Sequence, residues 1–424
     1  GSSMTCLFFL SSLLPLLLLP AWCDGVHHDG ASFDAGASFS ISLQFSKART
    51  WHALQRSDHH CHCCGAMLFA SETDIRYFTG FMTQFWQSPT RPWFVVLPPT
   101  GKPIAVIPTI GVPLMRDCFV DDIHSWASPA ASDDGVSLLV STIRAVMKGG
   151  TLGVPMGRET ALRVPLADIL EIIAALDDIE LADVTPEIQH IRMVKSPAEI
   201  AKLGHICGIV SDVFATIPDW VHAGLPLSEL FRQFKIRALE AGVDDVSYLV
   251  GSAGPGGYYD IIAPPNERRL AIGDVFMLDT GSVWDGYFSD FDRNFAIGHA
   301  SDGAQAAHQK LYDATDAALA IARPGATAAD LYRAMDAVLR PDGDGDGGDD
   351  VGRYGHGLGI QLTEPPSHTS WDTTVLSANM ALTLEPSIIY DNGFLMVAEE
   401  NILITESGVG LLSKRAPRDL PVIA

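Results

Sequence analysis

Residues 277–298 read MLDTGSVWDGYFSDFDRNFAIG, two apolar runs on either side of Asp285-Gly286. Asp-Gly between such runs is the strongest short-range signal for a β-hairpin, because the turn that matches the twist of paired strands needs positive φ at both central residues. With the turn centred there, Ser282 lies opposite Ser289, Gly281 opposite Asp290, and Asp279 is a diagonal neighbour of Asp290 on the same face. Two carboxylates on one face of an otherwise apolar strand pair predict a cation between them, since an unpaired buried charge is costly.

Three more donors follow. His356 stands in RYGHGLGIQL (353–362), between glycines that let the backbone approach a ligand closely. Glu385 closes ALTLE (381–385) before Pro386, and Glu400 lies in MVAEENILIT (396–405), an apolar strand pattern in which a buried charge needs a partner. Four carboxylates and one imidazole predict a pair of divalent ions, Mn, Fe, Co or Zn, and a bridged pair can activate a water; if all five are ligands, Asp290 and Glu400 are expected to be the acids that hold both ions. Taken singly, each acid reads as a solvated strand end or a cap, and His356 as a loop histidine bonded to backbone. Their occurrence together predicts a site.

The order Asp, Asp, His, Glu, Glu, with Phe291-Asp292-Arg293 after the second Asp, His356 inside Gly-His-Gly, Glu385 before Pro386 and Glu400 before Asn401, resembles the pita-bread metallopeptidase superfamily. Its members include Xaa-Pro aminopeptidases, prolidases, methionine aminopeptidases and creatinases. IRMVKSPAEIAKLGHI (191–206) resembles the start of that catalytic domain, and RYFTGF (76–81) the N-terminal domain of the prolidase and creatinase branch. The resemblance implies an α/β N-terminal domain over 40–190, an α+β pita-bread catalytic domain with pseudo-twofold symmetry over 191–424, two divalent metal ions and a homodimer. An internal echo agrees with the symmetry. HAGLPLSELFRQF (222–234) and ARPGATAADLYRAM (322–335) each place a glycine six residues before Leu230 or Leu331 and continue as an amphipathic helix.

The departures bear on substrate. Peptidases of this superfamily carry two further histidines near the substrate; here the first falls near Ile262 in YYDIIAPPNERR (258–269) and the second at Thr363. Each lost electrostatic donor lowers the rate by about two orders of magnitude or more. Replacement candidates are Tyr259 and Asp260, beside Tyr258 in GSAGPGGYYD (251–260), and Thr363, Glu364 and His368. Their ordinary readings are loop packing, a turn acid and a surface histidine. The resemblance therefore implies a dinuclear-metal hydrolase of a dipeptide, small amide or related C–N bond that handles Xaa-Pro bonds poorly. One alternative is a metal-dependent lyase of the dimethylsulfoniopropionate type, whose branch also lacks the histidines but has an additional Asp where this chain has Gly281. Another is a non-catalytic metal-binding protein, although such relatives tend to lose ligands.

The remainder bounds the class. The 424 residues, 47% hydrophobic and 19% charged, suit a globular protein of two domains, and a formal charge of −23 argues against nucleic acid or an anionic membrane surface as partner. Residues 1–39 read as an expression remnant (Gly1-Ser2-Ser3), an apolar run from Leu7 to Ala21 that resembles a secretory signal without a preceding Lys or Arg, and a polar lead; cytoplasmic and secreted locations both stay open. Seven cysteines show no paired spacing, so no disulfide framework is expected, and the His59–Cys64 run reads as a loop. Helices are expected at 46–55 and 135–147 and strands at 65–70, 93–98 and 103–108, an alternating α/β pattern. FWQSPTRPW (85–93) is a candidate to reach across a dimer, and the acidic glycine stretch 341–350 reads as a surface connection rather than a calcium loop.

Overall fold

The protein is described by a computed structural model over residues 64–88, 91–147, 149–342 and 352–424. The expected helix at 46–55, the residues 59–63, the leader and most of the acidic glycine stretch lie outside these.

Among the described residues, the N-terminal part forms a six-stranded sheet from β1 (Cys64–Phe69), β2 (Phe94–Leu97), β3 (Ile104–Pro108), β4 (Asp122–Trp126), β5 (Gly150–Val154) and β6 (Ile179–Asp183), in the order β4-β3-β2-β1-β5-β6. Side chains alternate between faces with period two. Ala66, Leu68, Phe94 and Val96 pack against Leu139 and Ile143 of the helix Val136–Val146, whereas Met67, Phe69 and Val95 face Ile75, Phe78, Trp86 and Trp93. Trp86 and Trp93, with ring centroids 5.8 Å apart, are thus core residues of their own domain rather than an arm across a dimer.

In the C-terminal part, β7 (Asp245–Pro255), β8 (Asp274–Trp284), β9 (Tyr287–Phe288), β10 (Phe291–Ile297) and β18 (Val422–Ile423) make one sheet; β11 (His356–Gly357), β12 (Glu364–Ser367), β13 (Ala381–Leu384), β16 (Glu400–Ile404) and β17 (Val409–Leu411) make another. Between them in sequence, β14 (Ser387–Tyr390) pairs with β15 (Phe394–Val397). The Asp285-Gly286 hairpin forms as expected, with φ of 42° and 71° at the two turn residues. Ser289 N donates to the Ser282 carbonyl at 2.9 Å, and the pairing of Phe291 with Thr280 carries Asp290 opposite Gly281. A side chain at Gly286 would overlap the Arg76 guanidinium, which reaches over from the N-terminal domain to pair with Asp285 at 3.5 Å.

The internal echo corresponds to two helix pairs, Pro197–Ala215 with Leu227–Ala241 and Asp302–Ile321 with Ala328–Leu339. Gly224 and Gly325 both sit at φ 92°, and each donates its amide to a strand-side carbonyl, Leu270 at 2.7 Å and Leu376 at 2.9 Å. Pro226 bridges Arg269 as Thr327 bridges Val375. This is the expected pseudo-twofold relation. The helix Pro197–Ala215 continues into Ile217–Trp220 and is long and apolar enough to cross a bilayer, yet Leu203, Ile206, Val210 and Phe214 are buried in the protein.

A buried ion-pair network ties the two domains together. Glu364, 1% exposed, accepts from Lys195 Nζ at 2.8 Å and Arg192 Nη2 at 2.7 Å, and Arg192 Nη1 lies 3.5 Å from Asp74 in the first domain. Burial alone would raise the Glu364 carboxyl, but Lys195 and Arg192 outweigh it and hold the group at about 2. Breaking such a network from one side leaves an uncompensated buried charge. Glu364→Gln is therefore expected to lower the unfolding free energy by about 3–5 kcal/mol in urea denaturation at pH 7. The folded pKa lies below the ordinary 4.5, so this stabilisation is complete above pH 4.5 and is lost as the pH falls toward 2; the gap between the two proteins should narrow over that interval.

Candidate metal centre

The hairpin delivers Asp279 and Asp290 into a cleft of about 670 Å³, where His356, Glu385 and Glu399 join them. One donor atom each from Asp290, His356 and Glu399 lies within 4.8 Å of the others, and all three residues are buried. His356 Nε2 is 3.4 Å from Asp290 Oδ2. Its Nδ1 is 2.9 Å from the Gly357 carbonyl, which can only accept, so Nδ1 carries the proton and the Nε2 lone pair faces the cleft. Burial, and then the nearby Arg353, push the imidazole down to about 3, which keeps it in the neutral form a metal requires.

Neighbouring backbone is held to match. Asn401 Oδ1 accepts the Asp290 amide at 3.0 Å while its Nδ2 donates to the Asp290 carbonyl, and Thr383 Oγ1 accepts the His356 amide at 3.1 Å. Cys207, buried in the helix Pro197–Ala215, donates to the same Asn401 oxygen at 3.2 Å.

The expectation for Glu400 is corrected by one residue. Leu384 pairs with Glu400, which places Glu399 opposite Glu385 and turns the two adjacent glutamates to opposite faces. Glu400 faces away from the cleft: it pairs with Arg293 Nη2 at 3.0 Å, accepts the Ala416 amide at 2.8 Å and accepts from the Ser413 hydroxyl. Strand parity decides between the two, and nothing local in the run Glu399-Glu400 distinguishes them.

The other candidates divide. Thr363 lines the cleft, as does Ile262, so both positions where the superfamily histidines would fall border the carboxylates. Tyr259 does not line the cleft; it is 65% exposed and its ring rests on Phe394. Asp260 is also outside, its carboxylate accepting the Ile262 amide at 2.8 Å in a turn. Glu364 belongs to the interdomain network, its charge already matched by Lys195 and Arg192. His368 is fully buried behind Gly355 rather than at the surface. Arg353, not singled out by the motif, lines the cleft 3.8 Å from Glu159 of the first domain.

The donor set fits divalent cations. Among the described residues, Asp279 Oδ1 and Glu399 Oε1 are buried without a hydrogen-bond partner. Burial, followed by Glu385, raises Asp279 to about 8; burial, partly offset by Arg353, raises Glu385 to about 7. Asp290 and Glu399 are raised by burial and then by the other carboxylates. Acids crowded in this way hold their charge only beside added positive charge, and oxygen donors with one neutral imidazole suit harder first-row ions.

The model of metallopeptidase family M24 matches residues 201–406, and that of the creatinase/prolidase N-terminal domain matches 57–194. The chain belongs to metallopeptidase family M24. The probable dipeptidase PepE of Mycobacterium tuberculosis (strain ATCC 25618 / H37Rv) is 26% identical over 357 residues, spanning 82% of this chain and 90% of that protein. Among solved structures, the prolidase of Thermococcus sibiricus superposes with a TM-score of 0.77 at 23% identity, covering 92% of this chain and 100% of its own. The dipeptidase PepE of Mycobacterium ulcerans gives 0.76 at 23% identity, covering 93% and 100%. The M24 architecture, an N-terminal creatinase-type domain on a pita-bread catalytic domain, is thus the fold of this protein.

Glu399→Ala and Glu400→Ala should separate cleanly. Chelator-stripped Glu399→Ala is expected to bind Mn²⁺ at least about 10²-fold more weakly in calorimetric titration, whereas Glu400→Ala should keep its metal and lose about 3–5 kcal/mol of stability through the stranded Arg293.

Proposed function

We propose that the cleft holds two divalent ions, Mn, Fe, Co or Zn, on Asp279, Asp290, His356, Glu385 and Glu399, and that the protein hydrolyses a dipeptide, small amide or related C–N bond there. Membership of M24, with a probable dipeptidase among its relatives, makes the protein a metal-dependent hydrolase of the Xaa-Pro peptidase type. The observation that carries the metal reading is the pair of buried, unpartnered oxygens Asp279 Oδ1 and Glu399 Oε1 beside a neutral imidazole. Bound divalent ions supply a nucleophilic water at neutral pH and polarise a carbonyl.

The chain's own residues do the rest. The catalytic domain brings the donors, and Arg158 and Glu159 of the N-terminal domain line the cleft beside them. Arg353 offers a guanidinium to an anionic substrate group such as a dipeptide carboxylate, a geometry that suits a fork of N–H donors. Thr363 brings a hydroxyl, and Ile262 an apolar wall, to the positions where the superfamily histidines would fall. A hydroxyl is a weaker proton carrier than imidazole near neutral pH, so a bond with a poor leaving group is served less well.

Gly281 favours the hydrolase over the lyase. A Cβ there would lie 2.3 Å from Leu362 Cδ1 and 3.0 Å from Tyr248 Cβ, so Leu362 fills the space that the lyase branch gives to its additional Asp.

The test is steady-state kinetics of the Mn²⁺-loaded protein on Xaa-Pro dipeptides, other dipeptides, small amides and dimethylsulfoniopropionate. Expected are release of amino acids or amine from a substrate without proline, a kcat/KM for Xaa-Pro dipeptides below about 10⁴ M⁻¹s⁻¹, and a rise in that value with Thr363→His. Acrylate and dimethyl sulfide would establish the lyase instead, and metal bound without turnover of any of these a binding protein.

A further inference from the structure

Asp292 has no part in the donor set above, yet it lies on the same face of the sheet as two of those acids. The register of β8 with β10 sets it directly opposite Asp279, and it stands two residues from Asp290, so the three side chains share one face of the sheet. It is 2% exposed. Its Oδ1 accepts from Asn294 Nδ2 at 3.3 Å. Asn294 is itself fixed, donating to the Val397 carbonyl at 2.6 Å and accepting from the buried Tyr258 hydroxyl at 2.6 Å. Asp292 Oδ2 has no hydrogen-bond partner among the described residues. The adjacent guanidinium does not serve it: Arg293 donates to the Asp292 and Glu399 carbonyls, to the Lys414 carbonyl and to the Glu400 carboxylate. Asp292 and Glu399 both line a second cavity of about 380 Å³; Glu399 also lines the cleft and Asp292 does not.

We propose that Asp292 is a further carboxylate of the metal centre, oriented by Asn294 and Tyr258 so that Oδ2 faces the ions held by Asp279 and Asp290. This rests on the metal reading above. A carboxylate buried, aimed by a hydrogen-bonded chain and left with one bare oxygen is unfavourable unless a cation meets it. With Asp292 the protein brings one more negative charge than two divalent ions balance, which favours hard, oxygen-preferring ions and strengthens their retention. Asn294 and Tyr258 are then positioning residues, acting on the metal through Asp292.

The experiment is calorimetric titration of the chelator-stripped full chain with Mn²⁺, with thermal unfolding measured with and without Mn²⁺, for the unaltered protein, Asp292→Asn and Asn294→Ala. Asp292→Asn is expected to bind Mn²⁺ roughly 10- to 100-fold more weakly, to show a smaller metal-induced rise in Tm, and to have a metal-free Tm no lower than the unaltered protein; Asn294→Ala should weaken binding in the same direction by less. Equal Mn²⁺ affinity in Asp292→Asn and the unaltered protein overturns the inference alone. A drop in metal-free Tm with the Mn²⁺ affinity kept would show that Asp292 only anchors Asn294, and overturns it too. Should Asp292→Asn fail to fold, Asn294→Ala decides: weakened binding supports the role and unchanged binding refutes it. If the unaltered protein binds no Mn²⁺, the metal reading itself fails and this inference with it, a result distinct from equal binding.

Discussion

Buried negative charge without a matching cation is the constraint around which the catalytic domain is organised. Asp279, Asp290, Glu385 and Glu399 meet in one cleft, and the guanidinium beside them on β10 is already committed to Glu400. Carboxylates in that position repel one another and lose their hydration, and the protein opposes neither effect with enough side-chain cation. What it does provide is rigidity. The Asp285-Gly286 turn, the two-point grip of Asn401 on the Asp290 backbone and the Thr383 bond to His356 hold the donors in place before anything binds. Preorganisation of this kind lets an incoming ion meet formed geometry rather than having to assemble it.

The contrast between Glu364 and Asp279 separates structural charge from chemical charge in one molecule. Both lose water on folding. Glu364 gains Lys195 and Arg192 and is held at about 2, whereas Asp279 gains another carboxylate and rises to about 8. The first is an ionised strut that connects the N-terminal domain, through Arg192 and Asp74, to the strand that follows His356. The second keeps one oxygen without a hydrogen-bond partner among the described residues. Thr363, which lines the cleft, is the immediate sequence neighbour of Glu364, so the interdomain contact and the cleft share one piece of backbone.

The cleft is lined by carboxylates and, besides them, by Ile262, Leu362, Thr363 and Arg353. Ile262 and Thr363 stand where imidazoles are expected, Leu362 packs into the space above Gly281, and Arg353 with Glu159 supplies a charged rim built from both domains. The carboxylates of the cleft come from strands of the catalytic domain or their ends, whereas Arg353 and Glu159 come from loops, the second of them in the N-terminal domain. Chemistry of one class can then act on different substrates by change at the wall alone.

Local patterns sufficed wherever the determining interaction lies within a few residues along the chain. The Asp-Gly turn dictates the β8–β10 register because a two-residue turn leaves no slack, and that register alone brings Asp279 and Asp290 to one face. Period-two and helical apolar spacing located β1 to β3, the helix Val136–Val146 and the paired glycines of the pseudo-twofold halves. The choice of Glu399 over Glu400 required tertiary structure, because adjacent strand residues differ only in face and the face is set by pairing with β13 and by Arg293 and Ser413 arriving from elsewhere in the chain. The same holds for Glu364, whose role depends on cations 169 and 172 residues away, and for Tyr259 and Asp260, whose glycine-rich surroundings say nothing of which way the loop turns. Sequence by itself determined the acids and the histidine and the hairpin that presents two of them; only the tertiary structure decided which acids meet a cation inside the protein and which do not, because that depends on distances between chain segments that no local pattern encodes.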